Sequence, residues 1–355
     1  MRVHRLQGSE ITRQTTVGRV LTHDVGHRLR KGLVISPEQA DSLKRLQLSE
    51  LHVLEMEPGD VHEDDAARRL GDAIAGAGTR RGEPHESQVR LLATRRGLAR
   101  ISRDAVDRLN LLPAVEIFTL FDGQAVDEGE EVAGAKVTPV AVHETLVEHA
   151  ERIARELTPV VRVDPFLPLR TKVVVTEKLK PRAREIFERK VSEKLGWYGA
   201  EILPVSQVER SNGAVRAAYE QALSERAQLV LFAGASSIDP LDAAYSELEA
   251  VGGAVLRQGM PAHPGSMTWL GHVRDATVLG VASCAGFGRS TSLDLLLPYV
   301  FAYGEAREED FHRMGYGGLV EGGAGRRFPP YPEPESEPKP EPVAAAHTEP
   351  GNSAG

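Results

Sequence analysis

The fold of this chain is decided by the stretch TKVVVTEKLKPRAREIFERKVSEKLGWYGAEILPVS, residues 171–206. Its first five residues, TKVVV, form a short apolar run typical of a buried strand. Pro181 then opens a helix, because the missing N–H of proline costs nothing in a first helical turn. The helix has an apolar face formed by Phe187, Val191 and Leu195. We expect Gly196 to end this helix and AEILPVS (200–206) to form the next strand.

The same alternation of strand and helix continues to residue 304. Further strands are predicted at QLVLFAG (228–234), AVLRQG (254–259), MTWLGH (267–272) and ATVLGVA (276–282). Further helices are predicted from Asn212 as the cap, from about Pro240 to Val251, and from about Ser292 to Phe301. This pattern predicts an α/β three-layer sandwich, a mostly parallel sheet with helices on both faces.

The N-terminal part has a different pattern. Strands are expected at GRVLTHDV (18–25) and LHVLEM (51–56), and helices start near Ser36-Pro37 and at Glu63. Short β segments follow at GLARIS (97–102), VEIFTLF (115–121) and EEVAGAKVTPVAV (130–142). The sequence therefore predicts an N-terminal α+β region with a small β-rich element.

Composition divides the chain into four segments. We expect an N-terminal α+β domain over 1–160, the α/β domain over 161–310, a glycine-rich connector over 311–328 and a tail over 329–355. The formal net charge is −8, and the tail, with five Glu and one Lys, carries −4 of it. A Pro/Glu/Ala-rich tail cannot bury enough apolar surface to offset chain entropy, so we expect it to be disordered.

Composition also excludes several classes of protein. The sequence contains no run of 18 or more apolar residues, so we expect no membrane-spanning helix. The basic N-terminus is not followed by the apolar core of a secretory signal, so we expect no such signal. The single Cys284 allows no internal disulfide, and a reducing, cytoplasmic location is expected. Basic residues are dispersed and not clustered with aromatic ones, so we expect no nucleic-acid partner.

Ligands of doubly wound sheets bind at the carboxyl ends of the strands, and GASSIDPLD (234–242) follows a central strand here. Gly234 allows close approach of a ligand to the backbone. Asp239 is expected at the N-cap with Pro240 in the first turn, where amide N–H groups can hold an anion. Asp239 and Asp242 would repel a phosphate unless Mg²⁺ intervenes or a carboxylate accepts hydrogen bonds from a ligand's ring and amino N–H groups. Both carboxylates could instead act only as cap and first-turn acid.

Two further loops are candidates at the same edge. GMPAHPGSM (259–267) has an unusual backbone path set by its prolines and glycines, and its His263 is either an anion contact or simply exposed. ASCAGFGRSTS (282–292) offers Arg289, Ser290 and Thr291 to an oxyanion near a helix start. Cys284 has no His or acid at the spacing of a catalytic motif, so a small buried side chain is the simpler interpretation.

In this order the three loops resemble the molybdopterin-binding domain family, which includes molybdopterin molybdotransferases and adenylyltransferases. The counterparts of its glycine-rich, Pro-Gly and Leu-Pro-Gly loops are Gly234 to Asp242, Pro264-Gly265 and Val281 to Cys284. The chain looks most like a subgroup of stand-alone bacterial molybdopterin-binding proteins over nearly its whole length. The matching segments are SIDPLD (237–242), PGSM (264–267), LDLLLP (293–298) and HEDDAA (62–67).

The resemblance implies the molybdopterin-binding fold and a role in molybdenum cofactor biosynthesis, by nucleotidylation or metal insertion. It implies molybdopterin or molybdenum cofactor as the ligand and Mg²⁺ held by Asp242. The catalytic candidates it implies are Asp242 and then Asp239. The ligand-binding residues it implies are Gly234, Ala235, Ser236, Ser237, Pro264, Gly265, Ser266, Ser283, Cys284 and Arg289. A molybdoenzyme, other cofactor-maturation proteins and a second copy of the chain are the partners that it suggests.

Departures from the family pattern favour an alternative function. Ser266 replaces a loop lysine, Ala282-Ser283 replaces Pro-Gly, and Ala235 replaces a glycine. These changes weaken the case for catalysis more than the case for the fold. A carrier, storage or sensor protein for the cofactor is therefore the alternative, and a nucleotide hydrolase on the same fold ranks last. HEDDAA (62–67) could cap a helix, bind a divalent cation or close over the ligand.

Overall fold

The computed structural model describes residues 1–85, 87–235 and 238–320. The tail predicted over 329–355 lies outside the described residues, as does the part of the predicted connector beyond residue 320. Within the described ranges, no helix has the length and apolar character needed to cross a membrane.

The N-terminal part combines short strands with five α-helices in the residues that the structure describes. Its strands are Arg2–Gln7 (β1), Val20–Leu21 (β2), Glu50–Glu55 (β3), Asp60–His62 (β4), Thr79–Arg81 (β5), Gln88–Ala93 (β6), Gly97–Ile101 (β7), Val115–Thr119 (β8), Gln124–Val126 (β9), Glu131–Val137 (β10), Ala141–His143 (β11) and Val161–Pro165 (β12). Its helices are Arg13–Thr16 (α1), Pro37–Arg45 (α2), Glu63–Ile74 (α3), Arg103–Asn110 (α4) and Glu144–Glu156 (α5).

These strands pair antiparallel in small sheets with the orders β1-β3-β2, β5-β6-β10-β8, β11-β4 and β12-β7-β9. The predicted α+β character is confirmed, and α2 and α3 start where the sequence placed them. β1 was not predicted, because Leu6 is its only buried residue and the strand carries almost no apolar signal.

The C-terminal part is built on one large sheet. Its strands are Arg170–Val175 (β13), Glu201–Ile202 (β14), Ser206–Gln207 (β15), Leu229–Ala233 (β16), Ala254–Gln258 (β17), Trp269–Val273 (β18) and Ala276–Val281 (β19). Its helices are Pro181–Trp197 (α6), Asn212–Ser224 (α7), Ala243–Ala250 (α8), Ser292–Tyr303 (α9) and Glu308–Arg313 (α10).

The order of this sheet is β14-β13-β16-β19-β18-β17, and β15 also pairs with β13. β13 pairs parallel with β14, β15 and β16, and β16 pairs parallel with β19. β18 pairs antiparallel with both β19 and β17. Side chains alternate between faces along a strand. Val173 and Val175 accordingly pack with α6 and α9, while Val174 packs with α7 and α8. The predicted three-layer α/β arrangement is confirmed.

In the N-terminal part, EEVAGAKVTPVAV divides into β10 and β11 of two different sheets, and GRVLTHDV forms a strand only at Val20–Leu21. In the C-terminal part, three predicted boundaries were wrong. AEILPVS does not form one strand: it divides into β14 and β15 around Pro204, which has no N–H to donate to a neighbouring strand. Ser211, not Asn212, occupies the N-cap of α7, because its extended backbone places Asn212 inside the helix. The cap of α8 is Asp242, not Asp239, since the Asp242 carboxylate accepts a hydrogen bond from the Ala244 N–H. Pro240 therefore precedes the helix.

A chain of polar contacts ties the two parts of the molecule together. The Arg100 guanidinium pairs with Asp122 and donates to the Tyr303 hydroxyl over 2.6 Å. The Tyr303 hydroxyl donates in turn to Asp164 over 2.8 Å. Burial, and then the bond to Asp164, raises the pKa of Tyr303. Because β12 pairs with β7, residues 161–165 belong to an N-terminal sheet. The domain boundary expected at residue 160 stays a prediction.

The close contact between Gly280 and Trp269 generates a test of the sheet. The Trp269 side chain is fully buried, and a Cβ on Gly280 would collide with its indole ring. Gly280→Ala should therefore lower the free energy of unfolding by about 1–3 kcal/mol, measured as a lower urea midpoint.

Gly213→Ala is the matched control. Gly213 lies in α7 with open space where a Cβ would stand, so this variant should keep or raise stability by up to about 1 kcal/mol. Equal midpoints for the two variants would contradict the packing described for Trp269.

Candidate functional site

Five loops meet at one edge of the large sheet. β13, β15, β16 and β19 run parallel, so the loops that follow them leave from the same edge. The turn from β17 to β18 lies there too, because Trp269 at the start of β18 pairs with Gly280 near the end of β19. We call this set the carboxyl-edge loops: residues 176–180, 208–211, 234–242, 259–268 and 282–291.

The loop after β16 begins with a conformation that requires glycine. Gly234 has a φ of 93°, and a Cβ there would come within 2.6 Å of the Glu177 side chain. Its N–H donates to the Val281 carbonyl over 2.8 Å, which ties this loop to the end of β19. The Ala235 carbonyl accepts from the Trp269 indole N–H over 3.1 Å. Ser236 and Ser237, two predicted ligand contacts, lie outside the described residues.

Asp242 is buried and fully engaged. Its Oδ1 accepts from the Ala244 N–H over 2.8 Å and so caps α8. Its Oδ2 accepts from Arg210 Nε over 2.9 Å and also from Nη2 of the same guanidinium. The Asp242 side chain is 1% exposed and that of Arg210 is 45% exposed. The carboxylate therefore presents no free oxygen to a metal ion while Arg210 stays in place.

Asp239 has a different environment. Its carboxylate is exposed and accepts a hydrogen bond from the Leu241 N–H over 2.9 Å, within the same turn. Ile238 and Leu241 beside it are 72% and 85% exposed. The Asp239 carboxylate can therefore contact a ligand from solvent, whereas the Asp242 carboxylate is buried and bound to Arg210 and to the Ala244 N–H.

The Pro-Gly loop is bound to the start of α9. Gly265 has a φ of 106°, and its carbonyl accepts from the Ser292 hydroxyl over 2.7 Å. The Pro264 carbonyl accepts from the Ser292 N–H over 2.9 Å. Ser266, which stands where the family pattern has lysine, is exposed. Pro264, Gly265 and Ser266 are thus held at the edge, and their role in ligand binding stays a prediction.

The segment after α10 packs on the same loop. The His263 N–H donates to the Gly318 carbonyl over 2.7 Å, and the Val320 N–H donates to the His263 carbonyl over 2.8 Å. The predicted glycine-rich connector therefore contacts the Pro-Gly loop directly through its described residues. His263 itself is exposed.

The third predicted loop starts as a 3-10 helix over Ser283–Phe287, whose backbone contains Ser283 and Cys284. Gly286 packs against the Phe187 ring, where a Cβ would collide. Arg289 is exposed, and its carbonyl accepts from Lys194 Nζ over 3.1 Å. The loop is thereby fixed to the last turn of α6.

Sequence analysis missed two residues at this edge, Glu177 and Arg210. Glu177 is exposed, and it is the second residue after the end of β13. Its side chain lies against Gly234. Arg210 follows β15 and reaches Asp242. Both could have been predicted from their positions, because ligand-binding residues lie in the loops that follow the carboxyl ends of parallel strands.

Two buried tyrosines of the C-terminal part have raised pKa values. Burial raises the pKa of Tyr219, whose hydroxyl donates to the Ala244 carbonyl, and the nearby charge of Asp242 adds to the effect. Burial, with a smaller effect of Asp294, raises the pKa of Tyr198. Both hydroxyls are therefore neutral and act as structural groups.

HEDDAA lies apart from the large sheet, and two of its side chains, His62 and Glu63, have structural roles. His62 caps α3: its Nδ1 accepts from the Asp64 N–H, and its Nε2 donates to the Gly32 carbonyl over 2.7 Å. The buried Glu63 pairs with Lys31 Nζ at 3.1 Å. In the part of the chain that the structure describes, no group of three or more His, Cys, Asp or Glu side chains is placed to hold a metal ion.

Comparisons with known proteins give distant likenesses. No family model matches the chain, and no curated relative matches it. A molybdopterin biosynthesis protein from Mycobacterium abscessus is 15% identical, covers 38% of this chain and 96% of its own, with a TM-score of 0.26. The molybdopterin biosynthesis Mog protein from Mycobacterium ulcerans is 18% identical over 37% of this chain and 94% of its own, with a TM-score of 0.29.

A longer match is the molybdopterin biosynthesis moea protein from Pyrococcus horikosii, which is 12% identical. It covers 89% of this chain and 77% of its own, with a TM-score of 0.30. TM-scores of this size carry no argument about fold or ligand. The fold assignment rests on the strand order, and the site rests on its own geometry.

The double engagement of Asp242 predicts an order of stabilities. Asp242→Asn should cost about 1 kcal/mol, because asparagine still caps the helix but no longer pairs with the half-exposed Arg210. Asp242→Ala should cost about 1 kcal/mol more, because the cap is lost as well. Urea denaturation of both variants measures the difference, and equal losses would contradict the capping role.

Proposed function

We propose that this chain binds a molybdopterin derivative at the carboxyl-edge loops and acts in molybdenum cofactor biosynthesis. One observation carries the proposal: the three segments that match the family pattern, 234–242, 259–267 and 282–292, lie together at one sheet edge. The hydrogen bond from Gly234 to Val281 and those between Ser292 and the Pro264 and Gly265 carbonyls support it, because they hold the three segments beside one another.

The edge offers groups that suit both ends of such a ligand. A pterin ring presents amino and ring N–H donors, and the exposed carboxylate of Glu177 can accept them. A phosphate needs N–H donors and positive charge, and Arg210 and Arg289 supply exposed guanidinium groups there. In this proposal the half-buried Pro264 and Gly265 lie between the two ends, and the buried Gly234 and Ala235 position the loop after β16.

Mg²⁺ does not fit the donor set at Asp242. Its Oδ1 caps α8 and its Oδ2 is paired with Arg210, so a metal ion would have to displace the guanidinium. We therefore assign no step to a metal ion at this residue.

A transferase reaction, either nucleotidylation of the phosphate or insertion of molybdate, is the first form of the proposed activity, with Asp239 as the carboxylate that can reach the ligand.

The second candidate is binding without chemistry, for storage, sensing or delivery of the cofactor to a molybdoenzyme. The observation that favours it is the burial of Asp242, which leaves the expected catalytic carboxylate 1% exposed. The serine at position 266, where a lysine of the family pattern would hold an anion, points the same way.

The ligand content of the native protein tests the binding proposal. Protein purified anaerobically from its own host should carry a pterin that acid oxidation converts to a fluorescent product. Molybdenum measured in parallel separates a late step or carrier, which holds the metal, from a step before metal insertion. Protein free of pterin that also fails to take up molybdopterin in direct titration would contradict the proposal.

Turnover separates the two candidates. The protein is incubated with molybdopterin, Mg²⁺, molybdate and nucleotide, and the products are separated by chromatography. A transferase should yield an adenylylated, cytidylylated or metallated product, and Asp239→Asn should lower its rate by at least about tenfold. Binding with no product in any combination would favour the carrier.

A further inference from the structure

The pairing of Arg210 with Asp242 joins two loops that are far apart in sequence. Arg210 lies in the 208–211 segment between β15 and α7, and Val208 of this segment donates to the Val175 carbonyl over 2.9 Å. Asp242 ends the loop after β16. The ion pair therefore sits among the carboxyl-edge loops, beside the residues that the proposed function assigns to the ligand.

Asp242 controls the orientation of the Arg210 guanidinium. Nε and Nη2 point to the buried carboxylate, and the guanidinium is planar with five N–H donors in a fixed arrangement. The side chain is 45% exposed, so its remaining N–H groups are available to solvent. A guanidinium fixed on one edge and open on the other matches the geometry of a phosphate oxygen pair.

The charges of the pair also suit an anion. An isolated Asp242 carboxylate would repel a phosphate placed at the start of α8. With Arg210 attached, the negative charge is compensated, and the exposed part of the pair is the positive one. Arginine in this position supplies the compensation that Mg²⁺ would otherwise have to supply.

We propose that Arg210, oriented by Asp242, binds the phosphate monoester of the ligand, and that this contact requires no divalent cation. The inference rests on the proposed function and assigns one residue of the binding site. Arg210 makes the contact with the ligand, and Asp242 acts behind it as a positioning residue.

The chain contains a matched control pair. Arg216 on α7 binds Glu247 on α8 over 2.6 Å, with side-chain exposures of 52% and 4%. This pair resembles Arg210–Asp242 in its burial, because a half-exposed arginine again binds a buried carboxylate. Arg216 lies six residues further along, inside α7 and away from the edge, so it should not meet the ligand.

The test uses the full-length protein and two probes, the fluorescent oxidised pterin that carries a phosphate monoester and its dephosphorylated form. Affinities are measured by fluorescence polarisation for wild type, Arg210→Gln, Arg210→Lys and Arg216→Gln. Wild type should bind the phosphorylated probe at least about tenfold tighter than the other probe. Arg210→Gln should lose this preference, Arg210→Lys should keep part of it, and Arg216→Gln should keep all of it.

Each titration is repeated with EDTA and with Mg²⁺, and the affinity of wild type should not change. Retention of the phosphate preference by Arg210→Gln, or its loss in EDTA, would overturn the inference alone. Failure of wild type to bind either probe would overturn the proposed function, and this inference with it. Urea midpoints of the two glutamine variants check that any difference in affinity is not a difference in folding.

Discussion

The parallel pairing of β13, β16 and β19 is the constraint on which the rest of this structure depends. These strands are buried on both faces, so their alternate side chains supply two separate cores. Because they run in the same direction, their following loops must leave from one edge. This geometry places the proposed ligand-binding residues of the loops after β13, β15, β16 and β19, including Arg210, whose segment follows a strand paired with β13. The Pro-Gly loop reaches the same edge through the antiparallel β17 and β18.

The sequence predicted the main strands of the large sheet, but it did not predict the bounds of its short edge strands. Runs such as LVLFA and ATVLGV are apolar throughout, which is the signal of a strand covered on both faces. β14 and β15 have two residues each and surround a proline, so their pattern could not be separated from one continuous strand. In the N-terminal part, β1 buries a single leucine and gave no periodic signal.

The sequence predicted that the loops of the candidate site lie at one sheet edge, but it did not predict the burial and partners of their residues. Asp239 and Asp242 both precede a helix, and only the backbone path shows that the second caps it while the first stays exposed. Arg210 lies 32 residues from Asp242, and nothing in the local sequence announces a contact over that distance. An ion pair between loops depends on how strands are ordered, which single-sequence patterns do not specify.

A crystal structure of the protein soaked anaerobically with the phosphorylated pterin would show directly where the ligand binds. We expect density among the loops 234–242, 259–268 and 282–291, with the phosphate against the Arg210 guanidinium. The opposite edge of the sheet holds a cavity lined by Arg274, Tyr303 and Glu305, among others. Density in that cavity, with the carboxyl-edge loops unoccupied, would contradict the account.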